Sequence, residues 1–162
     1  MPTSQQLAVA DFLGNLFTLW DEILGIPEKT EGPAWVLDLG AGWTQSLAAV
    51  SAAEASRQIA PGGTSIAAQT AHAAYYLEAF EAIVHGRQER ADWPASFHPA
   101  EVDEAAWTQQ KERFFGAAAR VRELIRGNSD WQPLHLGGAM ANVSHLAYHL
   151  GAVRQMLRVV KG

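Results

Sequence analysis

The sequence predicts an all-α protein, and more specifically a four-helix bundle with an additional short helix between the first and second long helices. Four long stretches repeat their apolar residues every three or four positions, the spacing that forms one apolar stripe along a helix. The alternating pattern of a half-buried strand is almost absent. The 162 residues suffice for one domain with a buried core and are too few for two ordinary domains. We therefore expect residues 1–162 to form a single domain.

The first long helix is predicted from Ser4 to about Leu24, because its apolar residues fall on one helical face. These residues are Val9, Leu13, Leu16, Trp20 and Ile23. Gly25 and Pro27 end the pattern. The segment that follows, up to Gly42, is rich in glycine and proline, which is typical of a connector.

The short helix and the second long helix are predicted from their caps. Thr44 can cap a short, alanine-rich helix that ends near Ala60. After a "PGG" turn, Thr64 or Ser65 can cap the second long helix, whose apolar stripe runs to Gly86.

Two further long helices follow the polar and aromatic connector "RQERADWPASFHPAEV". The third long helix is expected to end at Gly127 and Asn128, where a left-handed cap is favoured. Its apolar stripe consists of Trp107, Phe114, Ala118, Val121 and Ile125. The last helix is predicted from about Gly138 to Val160.

The segment "WVLDLGAGW", Trp35 to Trp43, is the one feature that suggests another fold. It resembles the glycine-rich first motif of S-adenosylmethionine-dependent methyltransferases. That fold needs several apolar strands and an acidic residue ending the second of them, and neither is visible here. Trp43 also stands where that motif usually has a further glycine. We interpret the segment as a connector, in which Trp35, Leu37 and Leu39 pack onto the helices and the glycines turn the chain.

The composition excludes several classes of function. A formal net charge of -5 lacks the basic excess of nucleic-acid-binding proteins, so no nucleic-acid partner is expected. There is no cysteine, so the chain has no disulfide, thiolate ligand or thiol nucleophile of its own. The first residues lack a secretory signal and no apolar run is long enough to span a bilayer, so we expect a cytoplasmic protein without membrane contact.

The strongest chemical signal is "HLAYH" in the last helix, which contains His145 and His149. Two histidines four positions apart on a helix point the same way, as two ligands of one metal ion must. Ala141 and Met156 share their face, so the pair is expected to face the core. Buried imidazoles need partners, which a metal ion can supply. The alternative is a pair of core histidines hydrogen-bonded to backbone or to Tyr148.

Three familiar metal sites do not fit this pair. A zinc metalloprotease needs a glutamate directly after the first histidine, where this chain has Leu146. A ferritin-like di-iron site needs Glu-x-x-His pairs, which are absent from the sequence. Haem needs ligands on opposite faces of the macrocycle, which two neighbours on one helix cannot provide.

His72 is the best candidate for a third ligand, because it lies half a turn out of phase with Glu81 and also away from Glu78. If the two glutamates face water, His72 faces the core. The other histidines are interpreted as structural or solvent-facing: His85 at a helix end, and His98 and His135 in connectors.

Several motifs occur together in order along the chain: a "W-x-L-D" segment with a "GAG" turn, then "GGTSIAAQTAHAAYYL", "ADWPASF", "VDEAAW" and "HLAYHLGAVRQ". Over nearly its whole length the chain thereby resembles the DinB-like (DinB/YfiT-like) superfamily of bacterial four-helix proteins. The resemblance implies a divalent metal ion bound by one histidine of the second long helix and two of the last, which are His72, His145 and His149. Ala152 departs from the pattern, since many members have glutamine there.

The resemblance also implies a function. Characterised relatives use low-molecular-weight thiols such as bacillithiol or mycothiol, so we expect a metal-dependent thiol S-transferase that acts on small electrophiles. A metal-dependent hydrolase on the same site, or a non-catalytic stress-related binding protein, are the alternatives. Three histidines accept zinc, nickel, iron or manganese. Relatives often form homodimers, and we expect the same here.

Two further residues are candidates for binding a cofactor or for orienting a substrate or a bound water. Asn142 lies one turn before His145, and Tyr76 lies one turn after His72. The competing interpretation is that Tyr76 fills the core and that Asn142 bonds to backbone.

Overall fold

The computed structural model of the chain describes residues 8–28, 30–87 and 90–162. The regular elements in these ranges are all helical, and none of their residues forms a strand, which confirms the all-α class. They are α1 (Val9–Leu24), α2 (Trp43–Leu47), α3 (Ala52–Ser56), α4 (Ile66–Val84), a 3-10 turn (Ala95–Phe97), α5 (Glu104–Gly127) and α6 (Pro133–Val160). The predicted start of the first helix at Ser4 lies outside the described residues. Within those ranges, no helix combines the length and the apolar character needed to cross a membrane.

The four long helices share one apolar core. Helix α4 packs against both α5 and α6, and α1 packs against α6. The indole rings of Trp20, Trp43 and Trp107 are fully buried in this core. Because α4 and α6 are in direct contact, side chains on their facing surfaces lie close together.

Small side chains allow α4 to lie deep in the core. Ala67, Ala71 and Ala74 are fully buried, so neighbouring helices can approach its backbone closely. Its first turn is fixed by Ser65, whose hydroxyl accepts the Ala68 N–H and donates to the Ala100 carbonyl at 2.6 Å. The start of α4 is thereby tied to the connector that precedes α5.

The prediction of one short helix after the first long helix was wrong, because the described residues between α1 and α4 form two. Helix α2 ends at Leu47, and α3 begins after Ser51. The Ser51 hydroxyl accepts the Glu54 N–H while the Glu54 carboxylate accepts the Ser51 N–H. This capping box holds Ser51 in an extended conformation, which interrupts a continuous helix.

The last helix begins at Pro133, earlier than the predicted start near Gly138. Proline is favoured in the first turn of a helix, where its missing N–H leaves no hydrogen bond unmade. His135 therefore lies in a helix and not in a connector, and its Nδ1 is 2.9 Å from the Asp130 carbonyl. Gly138 also lies inside this helix, and the position leaves no room for a side chain, because an added Cβ would be 2.2 Å from the Phe80 ring.

The segment "WVLDLGAGW" forms no strand and is a connector up to Gly42, after which α2 begins, but Trp35 does not pack onto the helices as expected. Its side chain is 74% exposed, and Leu39 is also exposed, whereas Leu37 contacts the core. The carboxylate of Glu22 accepts the backbone N–H groups of residues 35, 36 and 37 at 2.6 to 3.1 Å. The connector is thus held through its backbone, which leaves Trp35 in solvent.

Gly42 in this connector is required by packing. Its Cα lies so close to Gly25, the left-handed cap of α1, that an added Cβ would be 2.6 Å from the Gly25 backbone. We expect Gly42→Ala to lower the free energy of unfolding by about 1 to 3 kcal/mol, because one backbone must move away from the other. Urea denaturation measures this change.

Gly14→Ala is the matched control, because Gly14 lies on the exposed side of α1 with no atom near its missing Cβ. This substitution is expected to raise stability by up to about 1 kcal/mol through helix propensity. Equal effects of the two substitutions would contradict the close contact between Gly42 and Gly25.

Candidate metal centre

Three histidines from two helices meet in the core. His72 comes from α4, and His145 and His149 come from α6. One ring nitrogen of each lies within 4.8 Å of the corresponding nitrogen of the other two. His72 and His149 are buried and His145 is half-buried. These are the three histidines that the sequence singled out, and together they could hold a metal ion.

His72 is oriented by the connector that follows α4. Its Nδ1 is 2.6 Å from the hydroxyl of Ser96, which in turn donates to the Trp93 carbonyl at 2.5 Å. Its ring also stacks on Phe97, with centroids 4.0 Å apart and planes 7° from parallel. The 3-10 turn thus contacts His72 through a hydrogen bond and a stacked ring.

His149 is oriented by the start of α4. Its Nδ1 is 2.5 Å from Oε1 of Gln69, one turn before His72. The amide nitrogen of Gln69 donates to Thr64 Oγ1 at 3.0 Å, and that hydroxyl donates to the Ser65 carbonyl at 3.1 Å. A chain of three hydrogen bonds therefore connects the ring to backbone.

His145 has a different environment. Its Nε2 is buried and has no hydrogen-bond partner among the described residues. Its ring stacks on Tyr76, with centroids 3.6 Å apart and planes 14° from parallel. An imidazole nitrogen in this position costs free energy unless something binds it.

The three rings are neutral in the folded protein. Burial, and to a smaller extent repulsion from His72, lowers the pKa of His145 to about 4. Burial, with smaller effects of His145 and His72, lowers the pKa of His149 to about 3. Burial also lowers the pKa of His72. Neutral imidazole is the form that binds metal ions.

The residues present fit a divalent metal ion. The buried Nε2 of His145 lacks a partner, and the neighbouring rings of His72 and His149 offer nitrogen atoms within the same small volume. Three protein ligands with a free coordination position are typical of catalytic zinc sites, whereas structural sites have four protein ligands. No carboxylate belongs to this cluster in the described ranges.

Aromatic side chains surround the cluster. The Trp93 ring is 6.2 Å from His72 and 5.8 Å from Tyr76, centroid to centroid. The Tyr148 ring meets His149 edge-on at 4.9 Å and is largely exposed. These rings make the surroundings apolar, and burial raises the pKa of the Tyr76 hydroxyl.

The two other candidate residues occupy different positions. Tyr76 contacts the cluster directly, through its stacked ring. Asn142 is fully buried, and its amide nitrogen donates to the Gly138 carbonyl at 2.8 Å, one turn earlier in α6. Its Oδ1 has no partner among the described residues. Asn142 therefore makes no hydrogen bond to the three imidazole rings within the described part of the chain.

Three residues around the cluster were not predicted from the sequence: Ser96, Gln69 and Phe97. Gln69 precedes His72 by three residues, a spacing that places both on one helical face and that could have identified it. Ser96 and Phe97 reach the cluster through a turn in which Asp92 Oδ1 accepts the Ala95 N–H at 3.0 Å. The Asp-x-Pro pattern of "DWPASF" signals such a turn, but its position against α4 depends on tertiary packing.

The pKa shifts predict a pH dependence of stability in the metal-free protein. Above about pH 6.5 these histidines are neutral whether the chain is folded or unfolded. Below that pH the histidines of the unfolded chain become protonated. In the folded protein His145 is protonated only near pH 4 and His149 only near pH 3. We therefore expect the free energy of unfolding to fall as the pH decreases from 6.5.

Urea unfolding in the presence of a chelator, between pH 8 and 5, measures this dependence above the range of ordinary carboxylates. His149→Gln removes one of the groups and is expected to flatten the dependence. A slope unchanged by this substitution would show that His149 does not titrate as its burial implies.

Comparison of the chain with protein-family models, with curated proteins and with solved structures finds no match. The chemistry of the site therefore has to be inferred from its own residues.

Proposed function

We propose that this chain is a divalent-metal-dependent enzyme of the DinB-like superfamily, a four-helix bundle of α1, α4, α5 and α6 that transfers a low-molecular-weight thiol to small electrophiles. The observation that carries the proposal is the cluster of His72, His145 and His149, whose ring nitrogens lie within 4.8 Å of one another without an accompanying carboxylate in the described ranges. The order of the motifs along the chain supports the family assignment.

The role of the three histidines follows from their charge. Because all three are neutral, they would hold a zinc, nickel, iron or manganese ion without reducing its positive charge. When bound, such an ion supplies Lewis acidity, which lowers the pKa of a thiol or polarises a carbonyl group.

Two features favour thiol transfer over hydrolysis. A metal ion can itself generate hydroxide, but hydrolysis of an ester or amide also needs a proton for the leaving group, and no carboxylate that could supply it joins the histidine cluster in the described part of the chain. A thiol needs less activation than water, because its ordinary pKa of about 8.5 is already close to neutrality. The chain has no cysteine, so the thiol is a cosubstrate.

The aromatic surroundings suit an apolar electrophile. Tyr76, Trp93 and Phe97 exclude water from one side of the histidines and offer ring faces for stacking. In the proposed reaction the thiol sulfur forms a bond to the electrophilic carbon. The leaving group departs with the electron pair of the broken bond, and the thiol proton passes to solvent.

A transfer assay tests this proposal. The metal-loaded protein is incubated with 1-chloro-2,4-dinitrobenzene and with bacillithiol, mycothiol or cysteine, and thioether formation is followed by absorbance. We expect turnover that depends on metal and is lost in His145→Ala. His85→Ala is the matched control, because His85 is an exposed histidine at the end of α4 and should leave turnover unchanged.

Turnover that persists in His145→Ala or in excess chelator would contradict the proposal. Metal-dependent cleavage of ester substrates without thiol would replace it with a hydrolase. Saturable binding of the electrophile without turnover would replace it with a sequestering protein.

A further inference from the structure

We propose that Ser96 and Gln69 are positioning residues, which fix His72 and His149 as tautomers protonated at Nδ1 so that the Nε2 atom of each ring faces the metal ion. The orientation of Nε2 towards a metal ion rests on the proposed function. The tautomers of His72 and His149 are a property of the metal-free protein and do not depend on that function.

The direction of the hydrogen bonds at His72 follows from the last acceptor in the series, which is the Trp93 carbonyl. The Trp93 carbonyl can only accept, so Ser96 donates its single hydroxyl proton there, at 2.5 Å. Towards His72 the same oxygen can only accept, at 2.6 Å from Nδ1. His72 must therefore carry a proton on Nδ1, and in the neutral ring its Nε2 keeps a free lone pair.

The tautomer of His149 is fixed in the same way, by a longer series of hydrogen bonds. The Ser65 carbonyl accepts the hydroxyl proton of Thr64, so Thr64 Oγ1 accepts from the group on its other side, which is the amide nitrogen of Gln69. This contact fixes which way the amide faces, a choice that distance alone leaves open. Gln69 Oε1 then faces His149 Nδ1 at 2.5 Å, and an amide oxygen only accepts.

The two series of hydrogen bonds come from different parts of the fold, and both place the ring proton on Nδ1. Ser96 belongs to the 3-10 turn, whereas Gln69 lies on α4. Each occupies the Nδ1 side of a ring and leaves Nε2 for the cluster. Metal-binding histidines typically donate their other N–H in this way, which orients the ring and raises its basicity.

His145 completes the set without such a bond. Its Nε2 is the buried atom that lacks a partner, and its ring is held by stacking on Tyr76. Two ligands are thus oriented by hydrogen bonds and one by an aromatic face. We expect substitutions at Ser96 and Gln69 to act on His72 and His149 respectively and to leave His145 unaffected.

Nuclear magnetic resonance of the metal-free protein tests the tautomers. Long-range 15N–1H correlation of the imidazole rings is expected to show His72 and His149 protonated at Nδ1. In Gln69→Leu, His149 should show a mixture of tautomers while His72 is unchanged, and Ser96→Ala should show the reverse. Gln69→Glu keeps an acceptor at this position and should restore the Nδ1-protonated form of His149.

Zinc titration of the same proteins tests the consequence. Gln69→Leu and Ser96→Ala are each expected to weaken zinc binding by about 10- to 100-fold, with Gln69→Glu restoring most of the loss at the first position. Thr70→Val is the matched control: its hydroxyl is buried on α4 beside Gln69 but donates to the Ile66 carbonyl, away from the histidines. This control should bind zinc as wild type does.

The possible failures are distinguishable. His72 or His149 protonated at Nε2 in the wild-type protein would overturn the inference directly. Zinc affinity in Gln69→Leu equal to that of Thr70→Val would also overturn it, while the proposed metal-dependent function would stand. Wild-type protein with the expected tautomers that binds none of zinc, nickel, iron and manganese would overturn both the metal-facing role of these residues and the proposed function.

Discussion

His149→Ala is expected to abolish zinc binding at equimolar concentrations. His149 is the most deeply buried ligand candidate on α6 and lies in ring contact with both His72 and His145. Loss of a residue that merely supports a ligand weakens metal binding by about 10- to 100-fold, so loss of a ligand itself should exceed about 100-fold. Competition with a chromophoric chelator measures the affinity.

His135→Ala is the control for this experiment. His135 also lies on α6, but it is half-buried near the helix start and its Nδ1 is 2.9 Å from the Asp130 carbonyl, so it should not affect zinc. Circular dichroism of both variants shows whether the helices are retained. Zinc affinity in a folded His149→Ala protein that equals wild type would exclude this residue as a ligand.

Trp43→Ala, at the start of α2, is expected to be the most destabilising single substitution between α1 and α3. The Trp43 ring is fully buried, lies 4.6 Å from Phe114 between centroids, and donates its Nε1–H to the Leu146 carbonyl at 3.1 Å. Truncation leaves a cavity, which typically costs about 3 to 5 kcal/mol for a large aromatic residue. Urea denaturation at neutral pH gives the change in free energy of unfolding.

Two further substitutions separate the causes of this effect. Trp35→Ala alters the other tryptophan of "WVLDLGAGW", which is 74% exposed, and should change stability by no more than about 0.5 kcal/mol. Trp43→Phe keeps most of the packing but removes the donor to Leu146, so an intermediate loss of about 1 to 3 kcal/mol is expected. Equal stabilities of Trp43→Ala and Trp35→Ala would mean that Trp43 does not anchor α2 to α6.

The long helices were predictable because burial imposes a period on the sequence. In α5, Trp107, Phe114 and Val121 recur at the spacing of one helical face, and all three are fully buried. Helix boundaries were less predictable, because they depend on local groups that the apolar pattern does not report. The Ser51 capping box divides the region after α1 into two helices, and Pro133 starts α6 a turn early.

The histidines of the candidate site were also predictable, for two separate reasons. His145 and His149 share a helical face by their spacing alone. His72 was placed inward because Glu78 and Glu81 were expected to face water, and it is indeed buried. The glutamates, however, form ion pairs with arginines of α5, as Glu78 does with Arg113 at 2.6 Å.

The environment of the histidines was not predictable from local pattern. Ser96 lies 24 positions from His72 along the chain, and Gln69 lies 80 positions from His149. These pairs form only because the connector after α4 folds back and because α4 packs against α6. Sequence spacing indicates which residues share a helix face, whereas contacts between separate elements depend on the complete fold.

The proposed function depends on one divalent ion held by His72, His145 and His149. A crystal of the untagged protein soaked in zinc, with data collected at the zinc absorption edge, tests it most directly. We predict one anomalous peak per chain, about 2.0 to 2.1 Å from a nitrogen atom of each of the three rings. Zinc peaks only elsewhere in the molecule, or no peak in soaks with zinc, nickel, iron or manganese at their own absorption edges, would contradict a metal ion at this site and leave three neutral histidines in the core of a helical protein.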